Sequence, residues 1–152
     1  MASPSVRAWT GLFPNPQSWA GASEPLAVPA HVYVGAPRTV VVVADSTCAG
    51  SQFHLAHLRD VLTNARQAGI GTHLVLTGAA RPDDAAFVEA LGMSSQHVTR
   101  HTPTSATLRW VPAVFVTDTT GRILRGWMPG DGVTALQALG ALLSAEPESA
   151  RQ

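Results

Sequence analysis

The feature that most constrains the fold is an apolar run that ends just before the chain's only cysteine. Residues 38–45 read RTVVVVAD, and Cys48 follows three positions later. Consecutive Val residues without polar alternation are typical of a strand that is buried on both faces of its sheet. Such a sheet needs helices on both sides, so the run predicts an α/β domain. The thiol is then expected at the start of the next helix, where the helix dipole stabilises a thiolate.

The composition predicts a single globular domain and excludes several kinds of function. At 152 residues, 45% of them apolar, the chain can bury a full core. The ten basic residues, all of them Arg, balance ten acidic ones, so the net charge indicates neither a nucleic acid nor an anionic membrane as partner. One cysteine excludes an internal disulfide and a zinc site built from several cysteines.

The sequence predicts neither a targeting segment nor membrane insertion. Its first residues lack the positive stretch followed by an apolar stretch that a signal peptide requires. The longest apolar run, residues 40–44, is far too short to cross a bilayer. We therefore expect a cytoplasmic protein; the alternative is a periplasmic protein whose leader has been trimmed from the sequence.

Residues 1–25 are predicted to form an irregular arm, because four prolines in this stretch disfavour a long helix. The arm also carries three aromatic residues, Trp9, Phe13 and Trp19. Two interpretations are open: the arm packs on its own domain, or it docks on a partner protein through these aromatic anchors. Residues 26–146 are predicted to form the compact domain, and residues 147–152 a disordered tail.

The periodicities of the compact domain predict the element order ββ, then βαβα, then ββα. The predicted strands are residues 26–28, 31–34, 38–45, 71–77, 98–100, 113–117 and 122–128. The predicted helices run from a cap at Ser46 or Thr47 to Gly69, from residue 82 to 91, and from residue 131 to 143. This order indicates a mixed sheet with helices on both faces.

The order of elements resembles the thioredoxin fold, and two motifs resemble the redoxin group of thiol-disulfide reductases within it. The stretch Thr47-Cys48-Ala49-Gly50-Ser51 corresponds to the T-C-x-x-C motif that follows a buried strand in that group. Val111-Pro112, with the downstream residues Asp118, Gly121, Ile123 and Gly126, corresponds to its V-P-x-x-x-x-x-D-x-x-G-x-I segment and glycine turn. The resemblance covers roughly residues 26–144.

The resemblance implies where a partner would bind. In the redoxin group the proline that matches Pro112 is cis and lies against the active cysteine, which leaves the backbone of Val111 free to pair with an extended substrate. The alternative for Pro112 is an ordinary trans proline at a strand start. Trp110 and Trp127 flank this hairpin as core residues or groove walls.

Two departures from the family weaken the case for dithiol chemistry. Ser51 replaces the second cysteine, and a hydroxyl cannot resolve a mixed disulfide as a thiol does. Thioredoxins also bury an Asp six residues before the first cysteine, where this chain has Val42. Asp45 lies nearer to Cys48 in sequence, but we expect it to be solvated or to cap the helix.

Three interpretations of Cys48 therefore stay open. In the first, Cys48 is the catalytic residue of a monothiol thiol-disulfide oxidoreductase, and an external small thiol resolves its adducts. In the second, Cys48 is a remnant, and the protein acts by protein–protein contact as an accessory or assembly subunit. In the third, Ser51 is an engineered replacement. Because no base or second thiol supports Cys48, the second interpretation is favoured, with Cys48 and Pro112 at the contact site.

No metal or cofactor is predicted. His54 and His57 share a helix face, but Cys48 lies roughly 13 Å from His57 at the helical rise per residue, too far for one ion. A site that recruits His31 or His101 is the alternative, and solvated surface histidines are the simpler account. The chain has no phosphate-binding or nucleotide-binding glycine motif and no G-x-S-x-G nucleophile motif.

Overall fold

The computed structural model describes residues 29–101, 112–127, 129 and 140. Their centre is a five-stranded sheet with the strand order β3-β2-β1-β4-β5. The strands are β1 Thr39–Ala44, β2 Gly71–Thr77, β3 Val98–His101, β4 Ala113–Thr117 and β5 Ile123–Trp127. The α-helices are α1 Ala49–Phe53, α2 Leu55–Gln67 and α3 Asp84–Ala90, and 3-10 turns occur at Ala30–Val32 and Ser95–His97.

The central strand is β1, as the run of Val residues predicts. All six of its residues are buried, so both faces of the strand are covered. It pairs in parallel with β2 and antiparallel with β4, and Val42 faces Leu74 on one side and Val114 on the other. The sheet is therefore mixed, and its apolar centre is built from consecutive Val residues rather than from an alternating pattern.

The two parallel crossovers place α2 and α3 on the same face of the sheet. From β1 to β2 and from β2 to β3 the chain moves in one direction along the sheet, and right-handed crossovers then fall on one side. A hydrogen bond of 2.7 Å from the Arg66 guanidinium of α2 to the carbonyl oxygen of Gly92, just after α3, joins the two helices. The buried side of α2 consists of Leu58, Val61, Leu62 and Ala65.

The predicted hairpin of β4 and β5 is confirmed, and its turn is organised by Asp118. One carboxylate oxygen of Asp118 accepts hydrogen bonds from the backbone N–H groups of Thr120 and Arg122, at 2.8 and 3.0 Å. Gly121 completes the turn with φ +85°, a conformation that L side chains rarely adopt. The ring of Tyr33 lies directly against this glycine, 2.8 Å from the position a Cβ atom would take.

The strand predicted at residues 31–34 is wrong. Ala30–Val32 forms a 3-10 turn after Pro29, closed by the hydrogen bonds from the Val32 and Tyr33 backbone N–H groups. The β propensity of this stretch is overridden because Tyr33 is buried against Gly121 of the β4–β5 turn. Burial raises the pKa of the Tyr33 hydroxyl to about 12.

The helix after β1 also differs from the prediction. Its N-cap is Cys48, not Ser46 or Thr47, and no side chain caps it. The helix bends at His54, where α1 ends and α2 begins, although the hydrogen bonds from the His54 N–H to Gly50 and from the Leu58 N–H to His54 carry the helical pattern across the bend. The segment that follows Cys48 is thus only five residues long.

Several predictions lie outside the described residues. These are the arm with Trp9, Phe13 and Trp19, the strand at residues 26–28, the residues Trp110 and Val111, the helix at residues 131–143 and the tail at residues 147–152. Among the residues that are described, no helix is both long enough and apolar enough to span a bilayer.

Replacing Gly126 by Ala is expected to destabilise the fold by about 2 kcal/mol, because the new methyl group would overpack the core. A Cβ atom at this position of β5 would lie 2.9 Å from the ring of Phe115, which is fully buried. Urea unfolding measures the loss. Gly35→Ala is the matched control, since nothing lies within 4 Å of its Cβ position; equal stability of the two variants would contradict the argument.

Candidate thiol site

Cys48 lies at the end of the sheet where the parallel strands have their carboxyl ends. The chain leaves β1 at Ala44, and the carboxylate of Asp45 accepts hydrogen bonds from the N–H and the hydroxyl of Thr47, at 2.9 and 2.8 Å. This turn delivers Cys48 to the N-cap of α1 with extended backbone angles. The cysteine is half-buried, and its neighbours Thr47 and Ala49 are exposed. A partner could therefore reach the thiol at this helix N-terminus.

Ser51 occupies the position of a second cysteine, and its side chain is fully buried. The Ser51 hydroxyl accepts a hydrogen bond of 3.2 Å from the backbone N–H of Asp45. One residue on, the Gln52 side-chain amide donates to the Ser46 carbonyl oxygen at 2.7 Å. The first turn of α1 is therefore fastened to the loop that precedes it. Sequence reasoning places Ser51 next to the thiol, but it does not reveal this structural bond.

Pro112 lies at the same end of the sheet as Cys48. The register of the two strands places Ala113 beside Val43, so the preceding Pro112 lies level with the end of β1. Pro112 is buried. Two of the predicted site residues, Cys48 and Pro112, thus lie at the same end of the sheet, where β1 ends and β4 begins.

Trp127 closes the helix-covered face of the sheet on the β5 side. Its side chain is 4% exposed, and its indole N–H donates to Nε2 of His57 in α2 at 3.4 Å. Burial lowers the pKa of His57, the nearby His54 lowers it further, and Asp60 opposes the shift. A neutral His57 is the form that can accept this hydrogen bond. The Trp127–His57 contact ties the hairpin to the helix behind the thiol.

Asp84 connects three loops beside the thiol, and sequence reasoning missed it. Its carboxylate accepts a hydrogen bond of 2.5 Å from the Ser46 hydroxyl and one of 2.8 Å from the Arg81 backbone N–H. It also forms an ion pair with Arg100, whose guanidinium donates to the Gly78 carbonyl oxygen at 2.9 Å. The cysteine loop, the loop after β2 and the end of β3 are joined through one side chain.

The carboxyl group of Asp84 is held in its charged form. Partial desolvation raises its pKa, but the hydrogen bonds from Ser46 and Arg81 and the charge of Arg100 lower it by more. The net pKa is below the ordinary Asp value. In the sequence, Asp84 signals only a helix start, because an acidic residue in a first turn is common there.

The described residues contain no cluster of three or more His, Cys, Asp or Glu side chains that could hold a metal ion. His54 lies at the bend between α1 and α2, and His57 is already engaged by Trp127. The site consists of one thiol, a buried hydroxyl and a proline.

Comparison with known structures identifies the architecture. No protein-family model matches the chain, and a search of curated proteins finds no significant match. A thiol:disulfide interchange protein of the thioredoxin family from Chlorobium tepidum superposes with a TM-score of 0.58 at 12% identity, over 76% of this chain and 83% of its own. The chain has a thioredoxin fold.

Two further solved structures superpose to a similar extent. A domain of a possible thiol-disulfide isomerase from Cytophaga hutchinsonii reaches a TM-score of 0.58 at 18% identity, covering 80% of this chain and 83% of its own. A DsbF homologue from Corynebacterium diphtheriae reaches 0.57 at 16% identity, covering 74% and 73%. The predicted thioredoxin fold is confirmed, and identities this low establish the fold alone.

Replacing Asp84 by Asn is expected to lower the free energy of unfolding of this thioredoxin-fold chain by about 2 kcal/mol, the usual contribution of hydrogen bonds to a charged group. The difference from the native chain should be constant above the ordinary Asp pKa. It should shrink as the pH falls below that value, because acid protonates the carboxylate that the native fold uses charged.

Denaturant unfolding at a series of pH values measures this difference. Asp83→Asn is the matched control, because Asp83 is the adjacent, exposed N-cap residue of α3 and makes no side-chain capping bond. If Asp83→Asn cost as much as Asp84→Asn, the loss would come from helix charge rather than from the joined loops.

Proposed function

We propose that this chain acts by protein–protein contact through the end of the sheet that carries Cys48 and Pro112, as an accessory or assembly subunit without dithiol activity. The observation that carries the proposal is the state of Ser51. At the position where a resolving thiol would be needed, the chain has a buried hydroxyl that accepts the Asp45 backbone N–H. A hydroxyl there stabilises the loop and cannot release a disulfide-bound partner.

The surface around the thiol supports a contact role. Thr47, Ala49 and Gln52 are exposed on the Cys48 loop and its helix. Phe53, at the end of α1, is 83% exposed and stacks edge-on against the His54 ring at 4.9 Å. Aromatic side chains of this kind are frequent anchors in protein interfaces. The partner class is a protein that covers the exposed side of α1.

A monothiol oxidoreductase is the second candidate, and the accessibility of Cys48 favours it. The Cys48 thiolate would attack one sulfur of a substrate disulfide, forming a mixed disulfide and releasing the other sulfur as a thiolate. An external thiolate such as glutathione would then attack the Cys48 disulfide and take over the substrate sulfur. Cys48 would leave as a thiolate, with no net change in the protein.

Two measurements separate these candidates. The contact proposal expects no acceleration of insulin reduction by dithiothreitol and no turnover of a glutathione mixed disulfide, both compared with Cys48→Ser. It also expects a photo-crosslinking residue at Thr47 to capture one defined protein, and the same residue at Thr120, at the opposite end of the sheet, to capture none. Turnover that Cys48→Ser abolishes would support the monothiol enzyme instead.

A further inference from the structure

A groove lies between α3 and β3, and neither Cys48 nor Pro112 lines it. Its volume is about 650 Å³, within the range of protein binding sites. The walls are mainly apolar, from Leu76 on β2, Val88 on α3, Met93 in the following loop and Val98 on β3. Leu76 and Met93 are almost fully buried, so these walls belong to the core and are fixed in place.

The groove runs beside a strand at the end of the sheet. β3 pairs in parallel with β2, and it is the terminal strand of the sheet that the described residues form. In a parallel ladder only half of a strand's backbone groups face the neighbouring strand, so the others point outward along the edge. An outward edge next to an apolar groove is suited to an extended peptide, which gains backbone hydrogen bonds and buries alternate side chains.

The charges at the rim indicate what that peptide would carry. Two acidic side chains, Asp84 and Glu89, and one basic side chain, Arg100, line the groove, which leaves a net charge of −1. Asp84 and Arg100 neutralise one another in their ion pair. Glu89 is exposed on α3 and forms no ion pair with any described residue. The unbalanced charge is therefore a carboxylate beside an apolar groove.

We propose that the groove binds an extended segment of a partner protein, which adds a strand along β3. An apolar side chain of that segment enters between Val88 and Val98, and a neighbouring Lys or Arg pairs with Glu89. Cys48 does not line the groove, although Asp84 at its rim is hydrogen-bonded to Ser46 of the cysteine loop, and occupation of the groove requires no thiol chemistry. A second contact surface on the same chain would let an accessory subunit hold a partner at two places.

The test measures fluorescence anisotropy of a labelled six-residue peptide of alternating Val and Lys with the full chain. Ala85→Trp fills the groove, because Ala85 lines it, whereas Ala86→Trp adds the same bulk at an exposed neighbour outside the lining. We expect Ala85→Trp to weaken binding about tenfold or more and Ala86→Trp to leave it within about twofold. Glu89→Gln should weaken binding about fivefold, and Asp83→Asn, an exposed carboxylate outside the lining, should not.

Other results would overturn the proposal. No binding by the Val–Lys peptide, equal binding when Glu replaces its Lys residues, or equal effects of Ala85→Trp and Ala86→Trp would each exclude this occupant. A synthetic peptide of residues 1–25 that binds in its place, and loses binding with Ala85→Trp, would assign the groove to the chain's own arm. Cys48→Ser should leave peptide binding unchanged, so failure of the groove and failure of the thiol-site proposal are distinguishable.

Discussion

A Ser51→Cys variant is expected to form a disulfide with Cys48 and to accelerate insulin reduction by dithiothreitol at least about tenfold over the native chain, since a second thiol resolves the mixed disulfide. Cys48 is the N-cap of α1, and Ser51 lies three residues later in its first turn. Residues at this helical spacing have Cβ atoms about 5–6 Å apart. A disulfide needs about 3.5–4.5 Å, so a small backbone shift at the start of α1 would bring the two sulfur atoms within bonding distance.

The new thiol would carry a cost in stability. The Ser51 hydroxyl accepts the Asp45 backbone N–H, and sulfur is a weaker acceptor, so the reduced variant should lose about 1 kcal/mol of stability. Thiol titration before and after oxidation, mass spectrometry and the insulin assay measure the gain. If the variant kept two titratable thiols after oxidation, the buried position of Ser51 would be wrongly oriented for dithiol chemistry.

Two matched variants make this experiment decisive. Ala49→Cys adds the same number of thiols at the adjacent exposed position, where neighbouring residues of a helix do not face one another. Ser51→Ala removes the hydroxyl without adding a thiol. Only Ser51→Cys should gain insulin reduction, and Ser51→Ala should show the stability loss alone.

The second large effect is acid destabilisation through His73. This side chain lies on β2 with no exposed surface; its Nε2 is 2.9 Å from the Thr99 hydroxyl, and its Nδ1 has no hydrogen-bond partner. Burial, together with the nearby His97 and His31, lowers the pKa of His73 to about 4. An imidazolium would need an acceptor for a second N–H, and Nδ1 has none among the residues that the structure describes.

The direction of the pH dependence follows from which state binds the proton. In the unfolded chain His73 takes up a proton near its ordinary pKa, whereas the folded chain resists protonation, so the fold loses stability as the pH falls below that value. The loss should reach about 2–3 kcal/mol by about pH 4.5 and be absent above about pH 7. This pH range lies above the range in which Asp84 takes up a proton, so the contributions of His73 and Asp84 to the pH dependence of stability can be separated.

Urea unfolding of the native chain and of His73→Val measures this effect. Val fits the apolar centre of the sheet and does not titrate, so the variant should lose most of the pH dependence between about pH 7 and pH 4.5. His97→Gln is the control, because His97 is exposed and acts on His73 only through its charge. A pH dependence that survives in His73→Val would assign the acid sensitivity to other groups.

The elements that the sequence predicts correctly are those whose signals are local. The Val run makes β1 recognisable because a strand buried on both faces has no polar positions. The stretch Asp118-Thr119-Thr120-Gly121 predicts the hairpin turn, since it needs a side-chain acceptor and a residue with positive φ. The position of Cys48 at a helix start also follows from a local signal, because the cysteine lies between the Val run of a strand and the apolar stripe of a helix.

The errors and omissions come from contacts between distant parts of the chain. Residues 31–34 have strand propensity, but the packing of Tyr33 on Gly121 fixes a 3-10 turn there. Asp84 is remote in sequence from Ser46 and Arg100. No sequence pattern predicts that its carboxylate accepts a hydrogen bond from Ser46 and pairs with Arg100. The bend at His54 is likewise missed, because the sequence pattern predicts one helix that continues to Gly69.

The sequence alone shows that a strand buried on both faces leads into a single cysteine, and that no second thiol follows it in the helix. Both are properties of residues adjacent in the sequence, so they can be recognised without knowledge of the tertiary structure. Only the tertiary structure decided that Ser51 is buried and bonded to the loop, that Pro112 lies level with the end of β1, and that a groove opens beside β3. Each of these depends on the register of strands far apart in the chain, and register is set by packing.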